Sequence, residues 1–247
     1  MVALSSGSGF YPSRAGAHDP AGIFRQRKPL ARKQVDPDRR AEIGRERRVR
    51  TRAKIVAAAF EVFGGEAGLY ARIEDVAEKA EVTRATFYNH FASMAELRDA
   101  LTIEVTHDFL EAVTQAISDL PNARDRSACA VRFYLRRART DTRWAWSMIN
   151  MSAAGLIFGA ETFRQAEQTL REGVTEGVFD LPSVELGRDL LLGTTLAAMA
   201  SIIRGDMPED YPEAVAGRIL FGLGVPAEDA ALCAQSPLPP FKSTHGN

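Results

Sequence analysis

Residues 73–91 read Ile-Glu-Asp-Val-Ala-Glu-Lys-Ala-Glu-Val-Thr-Arg-Ala-Thr-Phe-Tyr-Asn-His-Phe, and their spacing decides the fold. Ile73, Val76, Ala77 and Ala80 recur at three- and four-residue intervals, one apolar face of a short helix. Glu81, Val82 and Thr83 interrupt it, and a second short helix follows over 84–91. At about 100° per residue from Arg84, Phe87 falls near 300° and Phe91 near 340°, so the two rings share one buried face. Ala85, Thr86 and Asn89 collect on the opposite face, with Tyr88 and His90 on its flanks. Two short helices joined by a three-residue turn suggest a helix-turn-helix, whose second helix lies in a DNA major groove. Thr and Asn can hydrogen-bond base edges, Asn binding adenine bidentately. Tyr88 and His90 are placed to meet phosphates on the groove walls. Arg84, in the first turn, can read guanine or hold a phosphate.

Amphipathic helices with a Tyr and a His also serve as ordinary surface elements, so charge is the second test. The whole chain of 247 residues has 31 Lys and Arg against 32 Asp and Glu, net −1, which read whole argues against nucleic acid. By segment the reading reverses. Residues 1–24 are neutral, 25–54 carry thirteen bases and four acids, net +9, and the remainder is net −10. A basic stretch just upstream of the helix pair supplies the sequence-independent attraction to phosphate, and Arg50 and Arg52 at its end join Arg72 and Thr83 as candidate contacts. The alternative for this stretch is a solvated tail or a localisation signal.

Outward from the helix pair, Ile55, Val56, Ala59, Phe60 and Phe63 form the apolar face of a helix starting near Arg47 and stopped by Gly64-Gly65. Asp36-Pro37 is a second helix-start signal further upstream, and Gly44 would weaken a helix running through it by about 1 kcal/mol. Ser93 and Glu96 make a capping box that opens a long helix with Leu97, Leu101, Val105, Phe109 and Val113 spaced by four. Further helical segments lie near 124–140, 144–157, 160–177, 183–204 and 211–223. No window alternates as strands do. The chain reads as all-α with about nine helices. The domains expected are a disordered basic extension over 1–46, a helix-turn-helix domain over 47–92, a larger helical body over 93–228, and a flexible tail over 229–247 whose last residues are Pro-rich.

The stretch 53–97, and above all Thr86-Phe-Tyr-Asn-His-Phe91, resembles the N-terminal DNA-binding domain of TetR-family transcriptional regulators. The resemblance implies a homodimer, three DNA-binding helices, and a remainder that binds a ligand and dimerises. It also implies that Tyr88 and His90 contact phosphates while Arg84, Ala85, Thr86 and Asn89 face bases. Three positions depart from the pattern. Glu81 stands where the turn usually has Gly, and a left-handed backbone there would cost roughly 1 kcal/mol. Arg72 replaces the usual Thr or Ser that caps the second helix; it can bind phosphate but cannot cap, and Glu74 and Asp75 compensate through the helix dipole. Met94 replaces a Lys that meets the DNA backbone.

In the body, Leu190, Thr194, Ala197 and Ser201 form one stripe, and Val215 and Ile219 lie in a second. Packed against a twofold copy, they would make a four-helix dimer interface; the alternative is intrachain core. Phe133, Trp144, Trp146, Met148, Met151, Phe158 and Phe163 concentrate large apolar side chains within about 30 residues, a set that lines ligand pockets and equally fills cores. Glu161 and Asp141 could add a polar contact. The nearly apolar stretch 190–203 is too short to span a bilayer. Two cysteines and no signal-peptide pattern fit a cytoplasmic protein without disulfides. The four histidines lack ligand spacing, and no hydrolase, phosphate-loop or zinc-protease motif occurs, so neither enzyme activity, metal nor cofactor is expected. The partners expected are double-stranded DNA, a second copy of the chain and a small apolar ligand, without a membrane. Rival readings are a DNA-binding protein with a filled core and no ligand, and a dimeric interaction module that does not bind DNA.

Overall fold

The computed structural model describes residues 37–152 and 157–241. The disordered start expected over 1–36 lies outside the described residues, as do residues 242–247. The packing that follows is that of the unit Glu42–Asn247. Among the described residues every regular element is helical: α1 Pro37–Phe63, a 3-10 turn Glu66–Tyr70, α2 Ile73–Lys79, α3 Arg84–Tyr88, α4 Met94–Ile117, α5 Ala123–Thr140, α6 Thr142–Ser152, α7 Gly159–Thr175, α8 Val184–Arg204, α9 Tyr211–Gly222 and α10 Ala227–Gln235.

Two boundaries differ from the sequence reading. The first helix starts at Pro37, not near Arg47, so residues 37–46 of the expected disordered extension are helical, Gly44 included. Proline suits a first turn because its missing N–H would have no partner there. Residues 38–50 are all exposed, so this part of α1 has no apolar face for periodicity to detect. At the other end, the expected flexible tail over 229–247 begins with α10. Its Ala230, Cys233 and Ala234 are buried, and it packs on α5 and α9. Beyond it, Arg132 Nη1 donates to the Ser236 carbonyl at 2.6 Å, Leu238 packs on the core, and Phe241 sits 5.0 Å from the Phe133 ring and 5.6 Å from Phe109. A short Ala-rich helix and a partly exposed Phe after Pro-Pro give little periodic signal by themselves, yet both pack on an apolar surface.

The head comprises α1 to α3 and the start of α4. Ile55, Val56, Ala59, Phe63, Val76, Ala80, Phe87, Phe91, Leu97 and Leu101 are buried in it. Ser93 accepts from the Glu96 amide at 3.2 Å, while the Glu96 carboxylate accepts from Ala92 N at 2.6 Å, one residue further back than in a standard capping box. The body packs α5 against α7, α8 and α9, with α6 on α8. Helix α8, 21 residues, is by length and composition apolar enough to cross a membrane, longer than the stretch 190–203 suggested. It packs against α5, α6, α7 and α9.

Head meets body where α1 ends. Buried Asn150 of α6 donates through Nδ2 to the carbonyls of Phe63 and Gly65, each at 2.8 Å. The approach is close enough that a Cβ at Gly64 would strike the Arg143 side chain and the Phe60 carbonyl, and one at Gly68 would strike Asn150. Within the body, Glu213 of α9 accepts from Arg132 Nε at 3.0 Å and from Arg136 Nη2 at 2.7 Å. The Arg132 and Glu213 side chains are only 4% and 8% exposed. Burial opposes the Glu213 charge, but the two guanidiniums outweigh it and hold its carboxyl below its ordinary 4.5. Glu213→Gln leaves Arg132 buried without a counter-ion, and a loss of about 3–5 kcal/mol in unfolding free energy is expected in urea melts. Because the folded carboxyl is the stronger acid, its stabilisation is full above about pH 4.5 and disappears as pH falls through the folded value. The variant should therefore lose less stability between pH 5 and pH 3 than the parent, as read by thermal melts.

Candidate nucleic-acid interface and ligand cleft

The third helix is short, and its exposed face is set by what holds it from behind. Phe87 and Phe91 are fully buried, their rings 5.9 Å apart. Their burial turns Arg84, Ala85, Tyr88 and Asn89 to solvent, with Thr86 and His90 half-buried. Regular helix ends at Tyr88, and Asn89 follows as its C-cap in helical conformation. Phe91 N still bonds to Phe87 O at 3.0 Å, so the expected face persists to residue 91. Thr83 is the N-cap. Its hydroxyl accepts from Thr86 N at 3.1 Å and lies 2.8 Å from the Thr86 hydroxyl, so both hydroxyls already have a local partner.

The turn before this helix takes a left-handed residue. Glu81 has φ +49°, and its carboxylate pairs with Lys54 of α1 at 2.6 Å, which lowers its pKa. Arg72 precedes α2 and is exposed. Arginine has no acceptor to cap with; instead Asp75 accepts from Arg72 N at 2.7 Å. Glu74 does more than act through the helix dipole: it pairs with Arg84 Nη1 at 2.7 Å. Arg84 also lies over the Tyr88 ring and donates to its hydroxyl at 3.4 Å. These contacts hold two candidate DNA-contacting side chains side by side before any DNA arrives. Tyr88 is 45% exposed. His90 has a buried Nδ1 without a hydrogen-bond partner, and burial, then Arg48 and Arg52, push its pKa down. Met94 is half-buried against the core.

The basic segment divides by role. Arg50 is exposed. Arg52 lies 4.7 Å over the Phe91 ring, bracing the third helix. Arg48, which sequence reasoning passed over, donates to the Asn89 carbonyl at 3.3 Å and ties α1 to the end of that helix. Tyr70, at the end of the 3-10 turn, is 80% exposed.

Of the seven apolar residues proposed for a pocket, two line one cavity and one lines another. An open cleft of about 690 Å³ lies between α1, α4, α5 and α6, with Phe133, Trp144, Phe109 and Phe241 among its walls. A smaller cavity of about 70 Å³ lies inside the body between α4, α5, α7 and α8, and Phe158 reaches it. Trp146, Met148 and Met151 are buried core, and Phe163 lies under the Arg188 guanidinium at 4.1 Å. These four line neither cavity. Glu161 pairs with exposed His107 at 3.1 Å, and Asp141 caps α6 by accepting from Trp144 N at 2.9 Å. No group of three or more His, Cys, Asp or Glu stands ready for a metal among the described residues.

The two stripes proposed for a dimer face also separate. Leu190, Thr194 and Ser201 are half-buried and Ala197 exposed, one outward line along α8. Val215 and Ile219 are 8% and 1% exposed within the single chain. They belong to its own core, because α5 covers one side of α9 and the unforeseen α10 another. The outward line of α9 runs instead through Ala214, Arg218, Phe221 and Gly222. Leu190 nestles against Gly222, joining the two lines.

Comparison with known proteins meets this geometry at both ends. Residues 55–101 match the family described as bacterial regulatory proteins, tetR family, and residues 125–236 match a tetracyclin repressor-like C-terminal domain. The chain is 25% identical over 187 residues to the HTH-type transcriptional activator FasR of Mycolicibacterium smegmatis, covering 70% of this chain and 81% of that one. Its fold is similar to that of RolR solved with resorcinol, with TM-score 0.63 and 23% identity over 80% of this chain and 99% of that one. A tetR-family regulator from Shewanella follows at TM-score 0.56 and 18% identity, over 70% and 97%. A helix-turn-helix head with a Phe-backed third helix, on a helical body of the matching C-terminal type, makes this chain a member of the TetR family of DNA-binding transcriptional regulators.

Proposed function

We propose that the protein acts as a homodimer on a palindromic DNA operator, represses transcription there, and is released by a small apolar ligand bound in its helical body. The observation that carries the reading is the burial of Phe87 and Phe91, which presents Arg84, Ala85 and Asn89 outward between Tyr88 and His90. Arg84 and Asn89 read base edges, and Tyr88 and His90 hold phosphates. Two copies a helical turn apart, about 34–36 Å, reach successive major grooves. Arg50 and the rest of the exposed basic part of α1 add backbone contacts.

Dimerisation is assigned to the outward lines of α8 and α9. Leu186 and Phe221 are each 54% exposed there, and large apolar side chains on a twofold face bury each other. Ligand control is supported by the open cleft, whose volume suits a small molecule; a filled body would favour the reading without a ligand. The ligand lowers DNA affinity by binding better to the DNA-incompetent state. The FasR relative is named an activator, and the same DNA geometry activates where the operator lies upstream of a promoter. Both cysteines are free and buried, in keeping with a cytoplasmic site of action.

Selection from random DNA with the full chain tests the reading, and failure to enrich any palindromic sequence would refute it. In titrations on the selected site, Tyr88→Phe should weaken binding to all sequences alike without changing their order. Asn89→Ala should relax choice at one or two base pairs by roughly 1–3 kcal/mol each; an unchanged preference would remove Asn89 from the reading face. Deleting residues 1–46 should flatten the salt dependence, by about 0.9 in log–log slope for each phosphate that the segment neutralises. An unchanged slope would mean that this segment stays off the DNA.

A further inference from the structure

The cleft between head and body has a chemistry of its own. Its aromatic walls come from four separate parts of the chain: Phe109 on α4, Phe133 on α5, Trp144 on α6, and Phe241 beyond α10. Phe241 stands 5.0 Å from Phe133 and 5.6 Å from Phe109, both tilted, and Phe109 meets Trp144 edge-on at 5.1 Å. These are the offsets at which rings attract one another, so a box already built of rings accepts another planar ring. The last wall is supplied by a segment anchored through Arg132 to the Ser236 carbonyl.

Charge in the cleft is uneven. Arg136 on the α5 wall is spent on Glu213 at 2.7 Å. Arg137 is not matched in the same way. Its guanidinium lies 4.5 Å over both the Phe109 and Trp144 rings, and Asp141 is 3.8 Å distant. Burial lowers the Arg137 pKa from its ordinary value, with Asp141 only partly opposing. A cation partly withdrawn from water, its side chain 32% exposed, planar and stacked on rings, is suited to take a carboxylate in a bidentate pair. Exposed Glu104 on the α4 rim disfavours an anion on that side.

We propose that this cleft binds a small aromatic carboxylate, with its ring in the box of Phe109, Phe133, Trp144 and Phe241 and its carboxylate on Arg137. The proposal rests on the ligand-responsive reading above, places its ligand in this cleft, and replaces the purely apolar molecule by one with an apolar ring and a single anionic group. The site differs from the cavity inside the body, whose volume of about 70 Å³ is far smaller than the 690 Å³ of the cleft. It also touches α1 directly through Val56 and Phe60, so an occupant contacts head and body together.

Calorimetry on the full chain with 2-naphthoate and its neutral isostere 2-naphthamide tests the assignment. Naphthoate should bind more tightly than naphthamide. Arg137→Gln should weaken naphthoate roughly ten- to hundred-fold and leave naphthamide unchanged. Arg137→Lys should keep the preference for the anion. Phe241→Ala should weaken both ligands, and Ala57→Trp, which fills the cleft from an exposed position on α1, should abolish both. Thermal melts without ligand identify any variant that fails to fold, and Ala57→Trp tests the cleft independently of Arg137. Absence of naphthoate binding at millimolar concentration, an equal weakening of both ligands in Arg137→Gln, or undiminished binding in Ala57→Trp would overturn the proposal. The site and the regulatory reading fail separately. Naphthoate that binds through Arg137 but leaves DNA affinity untouched keeps the site and counts against ligand control through it. Release from DNA by another compound, unaffected by Arg137→Gln and Ala57→Trp, keeps ligand control and removes the site.

Discussion

The last carbonyls of a helix have no partner within it, and at the end of α1 this requirement joins two parts of the protein. Asn150 answers for Phe63 and Gly65 with a single buried amide. Only glycines at 64 and 68 allow α6 and its neighbour Arg143 to come so near. Helix α1 is the backbone of the DNA-binding head, and α6 is planted in the body against α8. The end of α1 is therefore held by the body, while its middle forms a wall of the cleft through Val56 and Phe60. Any change in the body that moves α6 reaches α1 through hydrogen bonds that are costly to leave unmade.

Polar groups near the third helix are arranged with similar economy. Glu74 holds Arg84, Arg84 lies beside Tyr88, Asp75 takes the Arg72 amide, and Arg48 takes the Asn89 carbonyl. All are exposed, so each adds little to stability. The Glu74–Arg84–Tyr88 contacts limit the rotamers of two side chains proposed to meet DNA. Glu81 adopts a backbone conformation that glycine takes more readily, and its carboxylate finds Lys54 on α1. A strained turn thus remains fastened to the helix that carries the basic segment.

The opposed charges of the sequence fall in different places. Of the +9 over residues 25–54, +5 lies on α1 between residues 37 and 54, and the acidic excess lies on the remainder of the chain. Acidity does not exclude cationic detail: Arg132, Arg136 and Arg137 follow one another along α5 and have three different fates. Arg132 is sealed against Glu213 and Ser236, Arg136 is half-exposed on Glu213, and Arg137 is stacked on aromatic rings. Net charge says where DNA is welcome; it does not separate an arginine that is structural from one that can take a ligand.

Periodicity alone placed Phe87 and Phe91 behind the third helix and Ile55, Val76 and Leu97 in the head core, because short amphipathic helices write their buried face directly into residue spacing. The all-α class, the helix-turn-helix and the outward residues Arg84, Ala85 and Asn89 follow from that local rule and from the residues 86–91 that carry the family likeness. What spacing could not reach was every assignment that depends on a partner distant in the chain. Val215 and Ile219 look like an interface until α10 and α5 cover them; Trp146 and Met148 look like a pocket until the core closes over them; Phe241 looks like tail until Phe109 and Phe133 receive it. The exposed start of α1 has no apolar stripe at all, so only the Asp36-Pro37 start signal pointed to a helix there. The sequence by itself determined which face of each amphipathic helix is apolar, since that is a property of neighbouring residues. Only the tertiary structure decided what each apolar face touches, since burial depends on segments brought together from far apart in the chain.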